Sequence, residues 1–303
     1  MLGAIMKHVA LLCILITLSA TAWAGDNVIL LGMVEDVPGV YYGESHSTKV
    51  RVIFSYQGNR WRAFKSDCKN SECLTNITNS YPKEVTWYVG LDGRQVGKVT
   101  AQTPQKFNFY AHIGLQDITK GDAPVIGKAS DEFSGFGGEL VHRPLVALSK
   151  PNFQDPQKWK RYRPTPALVK QALQIMRRNA PAVCKEGSSE TEPLIPFHYG
   201  EGDLDIRAHK SVDGSLLLTI SIRDAYYCKG GGGDGGYDPQ MFAIGADGET
   251  RYLGPGLILV DAGDYDGNGT SELVMSLSRY NRGGYVLFSN TFIEEARFEF
   301  GYH

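Results

Sequence analysis

The sequence predicts a mainly β protein made of stacked β-hairpins, and three observations support this prediction. Runs that alternate apolar and polar residues recur along the chain, as in TKVRVIFSY at 48–56. Asp-Gly pairs at 92–93, 213–214 and 247–248 separate such runs, and Asp-Gly suits the positive φ angles of tight hairpin turns. Glycine is abundant at 35 residues, which is typical of a turn-rich β fold.

The hairpins recur every 30–45 residues or so, which is the spacing that stacked four-stranded blades would produce. A β-propeller of about five blades is therefore the first expectation for the architecture. The intervals are irregular and no repeat is strong by identity, so two β domains joined around a helix remain the alternative.

One helix is expected near 166–179, between the β-rich halves. Thr165 is suited to the N-cap, Pro166 to the first helical position, and Pro181 marks the stop. One face is apolar and consists of Leu168, Val169, Ala172, Leu173 and Met176. The helix is expected to serve packing.

The chain divides into four predicted segments. Residues 1–24 resemble a signal peptide, because basic residues precede an apolar run that ends in small residues before a cleavage site. An N-terminal β region is expected at 25–150, a proline-rich basic connector with the helix at 151–192, and a C-terminal β region at 193–303. No later stretch has the length of a transmembrane helix, so we expect a secreted or periplasmic protein without a transmembrane anchor.

Four cysteines follow the predicted signal peptide, and an even number in an oxidising compartment favours two disulfides. Of the three possible pairings we favour Cys68–Cys73, which closes the loop CKNSEC, together with Cys184–Cys228. Metal ligation by these cysteines is disfavoured, because no C-x-x-C spacing or neighbouring histidine accompanies them.

The stretch from Asp264 to Glu272 has the pattern of a cation-binding loop. Counted from Asp264, oxygen-bearing or turn-forming residues occupy fixed positions: Asp264 first, Asp266 third, Asn268 fifth, Gly269 sixth, Thr270 seventh and Glu272 ninth. Ca²⁺ takes six to eight oxygen ligands, and such loops combine alternate side chains, a carbonyl at position seven and a glycine at position six. Position twelve is Met275 and strand-like runs flank the loop, so an EF-hand between helices is not expected.

The motif GDYDGNGTSEL resembles the calcium loops of FG-GAP/VCBS-type repeats, which occur in integrin α-like β-propellers. It matches D-x-[DN]-x-[DN]-G-x-x-[DE]-L at every fixed position, with Glu272 in place of the commoner Asp. The resemblance covers about residues 257–290, and no second copy is present. It implies Ca²⁺ bound by Asp264, Asp266, Asn268, the Thr270 carbonyl and Glu272, whereas a polar turn without metal is the alternative.

Other candidate residues are weaker. The run at 198–209 contains His198, Glu201, Asp203, Asp205 and His209, and the two aspartates would share one face of a strand. Paired carboxylates can perform acid–base chemistry, although a solvent-facing strand edge explains them as well. The glycine-rich run 228–238 lacks the Gly-Lys-Ser/Thr of a phosphate loop and is expected to be a surface loop.

These observations predict an exported, calcium-stabilised β-rich module that binds an unidentified protein or glycan and has no evident catalytic activity. The formal net charge of −2 gives no indication of a nucleic-acid partner. An extracellular or periplasmic hydrolase of a polysaccharide or phosphoester, using the acids at 198–209, is the alternative. An inhibitor or adhesion protein that presents the glycine-rich loops is a third possibility.

Overall fold

The computed structural model describes residues 28–37, 47–68, 70–124, 143–185, 194–228 and 237–301. These ranges contain nineteen strands and two α-helices, so the prediction of a mainly β fold is confirmed. The predicted signal peptide and most of the glycine-rich run at 228–238 lie outside the described residues. Across the described ranges, no helix combines the length and the apolar character needed to cross a membrane.

The N-terminal part forms a seven-stranded antiparallel sheet. Its strands are β1 (Ile29–Val37), β2 (Ser47–Tyr56), β3 (Trp61–Ala63), β4 (Glu84–Leu91), β5 (Arg94–Gln102), β6 (Leu115–Lys120) and β7 (Leu145–Leu148). The order is β1-β7-β4-β5-β6-β2-β3, and β1 also pairs with β2, so six strands close into a ring. In the apolar core of the ring, Trp87 Nε1 donates to Oε1 of the buried Gln116 at 2.8 Å.

The C-terminal part contains three sheets. A five-stranded sheet, in the order β15-β14-β12-β11-β8, consists of β8 (Lys160–Tyr162), β11 (Leu204–Lys210), β12 (Leu216–Ile222), β14 (Gln240–Ile244) and β15 (Thr250–Pro255). A four-stranded meander consists of β16 (Leu257–Gly263), β17 (Glu272–Arg279), β18 (Arg282–Phe288) and β19 (Glu294–Gly301). A small sheet consists of β9 (Val183–Lys185), β10 (Ile195–Pro196) and β13 (Tyr226–Tyr227).

The four-stranded meander is the middle layer of the molecule. Side chains on one of its faces, such as Val274 and Phe298, belong to the core of the ring. Side chains on the opposite face, such as Met275 and Val286, pack with Met241 of the five-stranded sheet. The far face of the five-stranded sheet packs against helix α2 (Pro166–Asn179), and the chain therefore stacks in four layers.

A buried ion pair contributes to the contact between the ring and the meander. The guanidinium of Arg51 on β2 binds Glu35 on β1, with Nε 2.7 Å from Oε1 and Nη2 3.1 Å from Oε2. From the meander, the ring of Phe300 lies 4.1 Å from the guanidinium carbon, and the hydroxyl of Tyr285 bonds Glu35 Oε1 at 3.3 Å. The attraction and hydrogen bonds within the pair offset the desolvation cost of both ions, which an unpaired buried arginine would carry uncompensated.

Several local predictions are confirmed. Helix α2 spans 166–179 as predicted, and the Thr165 side chain accepts from the amide of Leu168 at its N-terminus. The β4–β5 hairpin turns at Asp92 and Gly93, whose φ angles of 48° and 69° are those of a type I′ turn. Both favoured disulfides, Cys68–Cys73 and Cys184–Cys228, are present.

Two expectations about the architecture differ from the structure. The β-propeller is not confirmed, because the described strands form sheets of seven, five, four and three strands and only 257–301 has the order of a single blade. The segment around CKNSEC is also more than a loop, since helix α1 (Ser71–Thr78) begins inside it. Asn70 caps α1 by accepting from the amide of Cys73, and Leu74 and Ile77 pack into the core.

A carboxyl group buried between the ring and the meander predicts a pH effect on stability. Asp261 on β16 is 7% exposed, and burial raises its pKa from 3.8 to about 7. The native state then holds a proton that the unfolded state has lost, so stability is full below pH 3.8 and falls as the pH rises towards 7. This single group contributes a slope of at most about 1.4 kcal/mol per pH unit.

We expect Asp261→Asn to remove this slope, because the amide cannot ionise. Urea denaturation of both proteins between pH 5 and pH 8 measures the effect. The variant should gain stability relative to the wild type as the pH rises, while Asp122→Asn, at an exposed position, should follow the wild type. If the free energy of unfolding changes with pH in the same way in Asp261→Asn and in the wild type, Asp261 is not the source of the slope.

Candidate metal centre

The predicted cation loop connects β16 to β17, as expected from its strand-like flanks. The two strands pair antiparallel, and the pair Gly263↔Glu272 closes the loop. Glu272 is therefore the first residue of a strand, whereas Asp264 and Asp266 lie in the turn. An EF-hand is excluded here, since both flanks are strands.

Three carboxylates converge in this loop. Oxygens of Asp264, Asp266 and Glu272 all lie within 4.8 Å of one another. Glu272 is 3% exposed and Asp264 is 9% exposed, while Asp266 is half-buried. In the described ranges, no other group of three or more acidic, histidine or cysteine side chains comes this close together. Carboxylate oxygens in such a cluster are the ligands that Ca²⁺ and other hard divalent cations prefer.

The backbone of the loop orients the first carboxylate. Amides of Gly267 and Gly269 donate to Oδ1 and Oδ2 of Asp264 at 2.8 and 3.0 Å. The φ angles of the two glycines are 85° and 87°, which residues with a Cβ atom rarely adopt. The glycine predicted at the sixth position therefore makes a sharp bend and also donates to the cluster.

Asn268 bonds both Thr270 and the carboxylate of Asp266, whose Oδ1 accepts from the Asn268 amide at 2.9 Å. Asn268 Oδ1 accepts from the amide and the hydroxyl of Thr270, at 2.8 and 2.5 Å. Asn268 Nδ2 donates to Oδ2 of Asp266 at 3.0 Å. Of the five expected ligands, the structure thus brings three carboxylates together and orients the Asn268 oxygen towards Thr270.

The electrostatics of the cluster favour a bound proton or cation. Burial, reinforced by the negative charges of Asp266 and Asp264, raises the pKa of Glu272 to about 8. Burial also raises the pKa of Asp266. The amide of Tyr265, which donates to Glu272 Oε2 at 2.8 Å, compensates only partly. Three negative charges in this volume repel one another, and a divalent cation would remove that repulsion.

Sequence reasoning did not identify the segment that holds this loop in place. In the connector, Asn152 Nδ2 donates to the Asp264 carbonyl at 2.7 Å, and the Gln154 carbonyl accepts from the Asp264 amide at 2.7 Å. The Ser271 hydroxyl donates to Oδ1 of Asp155 at 2.6 Å. These partners are more than 100 residues apart in sequence, and no local pattern indicates such contacts. We call residues 152–157 the clamp.

The ring also reaches the loop. The hydroxyl of Tyr56, at the end of β2, lies beside Asp266 and affects the pKa of that carboxyl. The carboxylate cluster is therefore located where the ring, the clamp and the meander meet.

The acids at 198–209 do not form a comparable centre. Asp203 lies in a 3₁₀ turn, Glu201–Asp203, and caps it by accepting from the amide of Gly200 at 2.8 Å. Asp205 lies on β11, so the expectation that both aspartates share one face of a strand is wrong. The expectation failed because the strand begins only at Leu204, after a capped turn that also uses an aspartate.

The chain matches no protein-family model, no curated protein and no solved structure. The resemblance to FG-GAP/VCBS-type calcium loops therefore depends on the loop residues themselves.

Proposed function

We propose that the protein is an exported binding module whose β-sheets are stabilised by one Ca²⁺ ion in the 264–272 loop. The observation that carries the proposal is the convergence of three largely buried carboxylates, within 4.8 Å, in a loop with the spacing of known calcium loops. The two disulfides support export, because such bonds persist in oxidising compartments.

The ion would act on stability through its preference for the folded state. A ligand that binds only the native protein stabilises it by about 2.7 kcal/mol when its free concentration is a hundred times its Kd. The ligands Asp264, Asp266 and Glu272 are close together only when β16 and β17 are paired. Calcium would therefore lock this hairpin, and with it the clamp and the adjacent end of β2.

A structural role is favoured over a catalytic one by the burial of the cluster. Catalytic metal sites keep an open position for water or substrate. Here Glu272 is 3% exposed and Asp264 is 9% exposed, and the clamp covers the main chain of Asp264. Binding of a protein or glycan partner would then use other surfaces of the scaffold.

The first test removes one ligand. Asp266→Ala should lose calcium binding in calorimetric titration, and its melting temperature should no longer differ between calcium and chelator. The wild type should bind one Ca²⁺ and melt at a higher temperature in calcium than in chelator, by several degrees if the gain is about 2.7 kcal/mol. Asp122→Ala, which removes an exposed carboxylate outside the loop, should behave as the wild type. Equal melting curves of the wild type in calcium and chelator would contradict the proposal.

The second test separates repulsion from coordination. Glu272→Gln keeps the side-chain shape and removes a buried charge that has two carboxylate neighbours. At about pH 9, a unit above this pKa, where the carboxyl is largely ionised, we expect the variant to be more stable than the wild type in chelator and less stable in calcium. Thermal melts under both conditions measure the two effects. A change in the same direction in both would show that Glu272 does not contact the ion.

A further inference from the structure

The sequence KWKRYR at 158–163 is a feature that the calcium loop does not explain. It contains four cations among six residues, and short runs rich in lysine and arginine are typical of surfaces that bind polyanions. The structure places its centre on β8, the last strand of the five-stranded sheet. Among the described strands, β8 pairs with β11 on one side and has no neighbour on the other.

The pairing of β8 with β11 places like charges opposite each other. The register has three residue pairs, of which Lys160↔Lys210 is a pair of cations and Arg161↔His209 joins an arginine to a histidine. Side chains directly opposite in an antiparallel pair have Cβ atoms only about 5 Å apart, and like charges there are destabilising. Among the described residues, neither Lys160 nor Lys210 has a carboxylate within ion-pair distance.

Five exposed cations line this edge of the sheet. We define the basic edge as Lys158, Lys160, Arg161, Arg163 and Lys210. Lys158 precedes β8 in a turn, with a φ angle of 51°, and its amide donates to the Asp155 carbonyl. The strand itself spans three residues, or about 10 Å. Because side chains alternate along a strand, Lys160 and Lys210 share one face and Arg161 lies on the other, so the basic edge is a strip with cations on both faces. The side chain of Lys210 extends over the ring of Tyr162, with Nζ 5.3 Å from the ring centre, and this contact orients the cation along the strip.

Protection against aggregation does not account for the whole strip. A lysine on an edge strand deters pairing with another chain, and this effect explains the lysine at position 160. Lys210 lies on β11, which has β12 on one side and β8 on the other and is therefore not an edge strand. A second cation placed opposite the first adds repulsion without adding protection, so an anionic ligand is the better explanation.

We propose that the basic edge binds an anionic polysaccharide, whose carboxylate or sulfate groups contact the cations along β8. The assignment names a partner for the exported binding module proposed above, and it does not depend on the calcium loop. A polysaccharide is favoured over a nucleic acid because the disulfides indicate an oxidising compartment, and because the chain as a whole carries a formal charge of −2. A membrane is disfavoured, since the strip lies on a strand edge and not on an amphipathic helix.

Heparin is the probe for the test, with calorimetric titration at low and at moderate salt. The wild type should bind with an affinity that falls as salt rises, because ion release accompanies the contacts. The double variant Lys160→Thr/Lys210→Thr should bind heparin roughly tenfold more weakly or worse, because both facing cations are removed. The matched control is Lys98→Thr with Lys120→Thr, which removes two exposed strand lysines from the ring and should leave binding unchanged.

Thermal melting gives the second readout and keeps the test valid if one variant is poorly folded. Without heparin, the Lys160 and Lys210 double variant should melt at or above the wild-type temperature, because the facing charges no longer repel each other. Heparin should raise the melting temperature of the wild type and of Lys160→Arg with Lys210→Arg. It should not raise that of the double threonine variant. If the threonine variant does not fold, Lys210→Thr alone replaces it.

Several results would overturn the proposal. One is that the wild type does not bind heparin, or that the double threonine variant binds it as tightly as the wild type. Another is that the control variant loses as much heparin binding as the double threonine variant. A third is that the wild type binds a DNA duplex or phosphatidylglycerol vesicles more tightly than heparin. Calcium stabilisation and heparin binding are measured separately, so failure of either proposal is recognised without the other.

Discussion

The four-stranded meander at 257–301 must bury two apolar faces, and the arrangement of the other sheets follows from this requirement. One face supplies Val274 and Phe298 to the core of the ring, and the other supplies Met275 and Val286 to the contact with the five-stranded sheet. A sheet covered on both sides has no solvent-facing side, so its strands read as nearly continuous apolar runs. The ring and the five-stranded sheet thus share one central layer. At the contact with the ring, the buried Arg51–Glu35 pair is covered by Phe300 and Tyr285 of the meander.

The carboxylate cluster is placed at the edge of this central layer, where burial makes its charges costly. The same loop residues that would coordinate a cation also form the turn of a hairpin whose strands belong to the core. A cation there would influence more than the loop, because Asp264 is bonded to the clamp through its main chain and Asp266 lies beside Tyr56 of the ring. A proton on Glu272 and a divalent cation relieve the same repulsion and would compete for the site.

Local signals in the sequence predicted local structure well. The turn at Asp92 and Gly93, the capped helix at 166–179 and the strand flanks of the 264–272 loop all follow from short-range preferences of the backbone. The propeller expectation rested on hairpin spacing, which reports how often the chain turns but not which hairpins share a sheet. The closure of the ring depends on the pairing of β1 with both β2 and β7, and β7 lies more than 100 residues away along the chain. The clamp was not predicted, because its contacts with Asp264 and Ser271 join distant residues and do not affect the local pattern of apolar and polar residues.

The separation of these contacts along the chain also suggests an order of assembly. Within the loop, the hydrogen bonds to the three carboxylates join residues at most seven positions apart, such as Tyr265 to Glu272. The clamp joins residues 110 to 116 positions apart, so it requires the connector to reach the loop of the meander. Short loops close faster and at lower entropic cost than long ones. The three carboxylates therefore belong to a single hairpin, and the long-range contacts add its burial and its attachment to the rest of the fold.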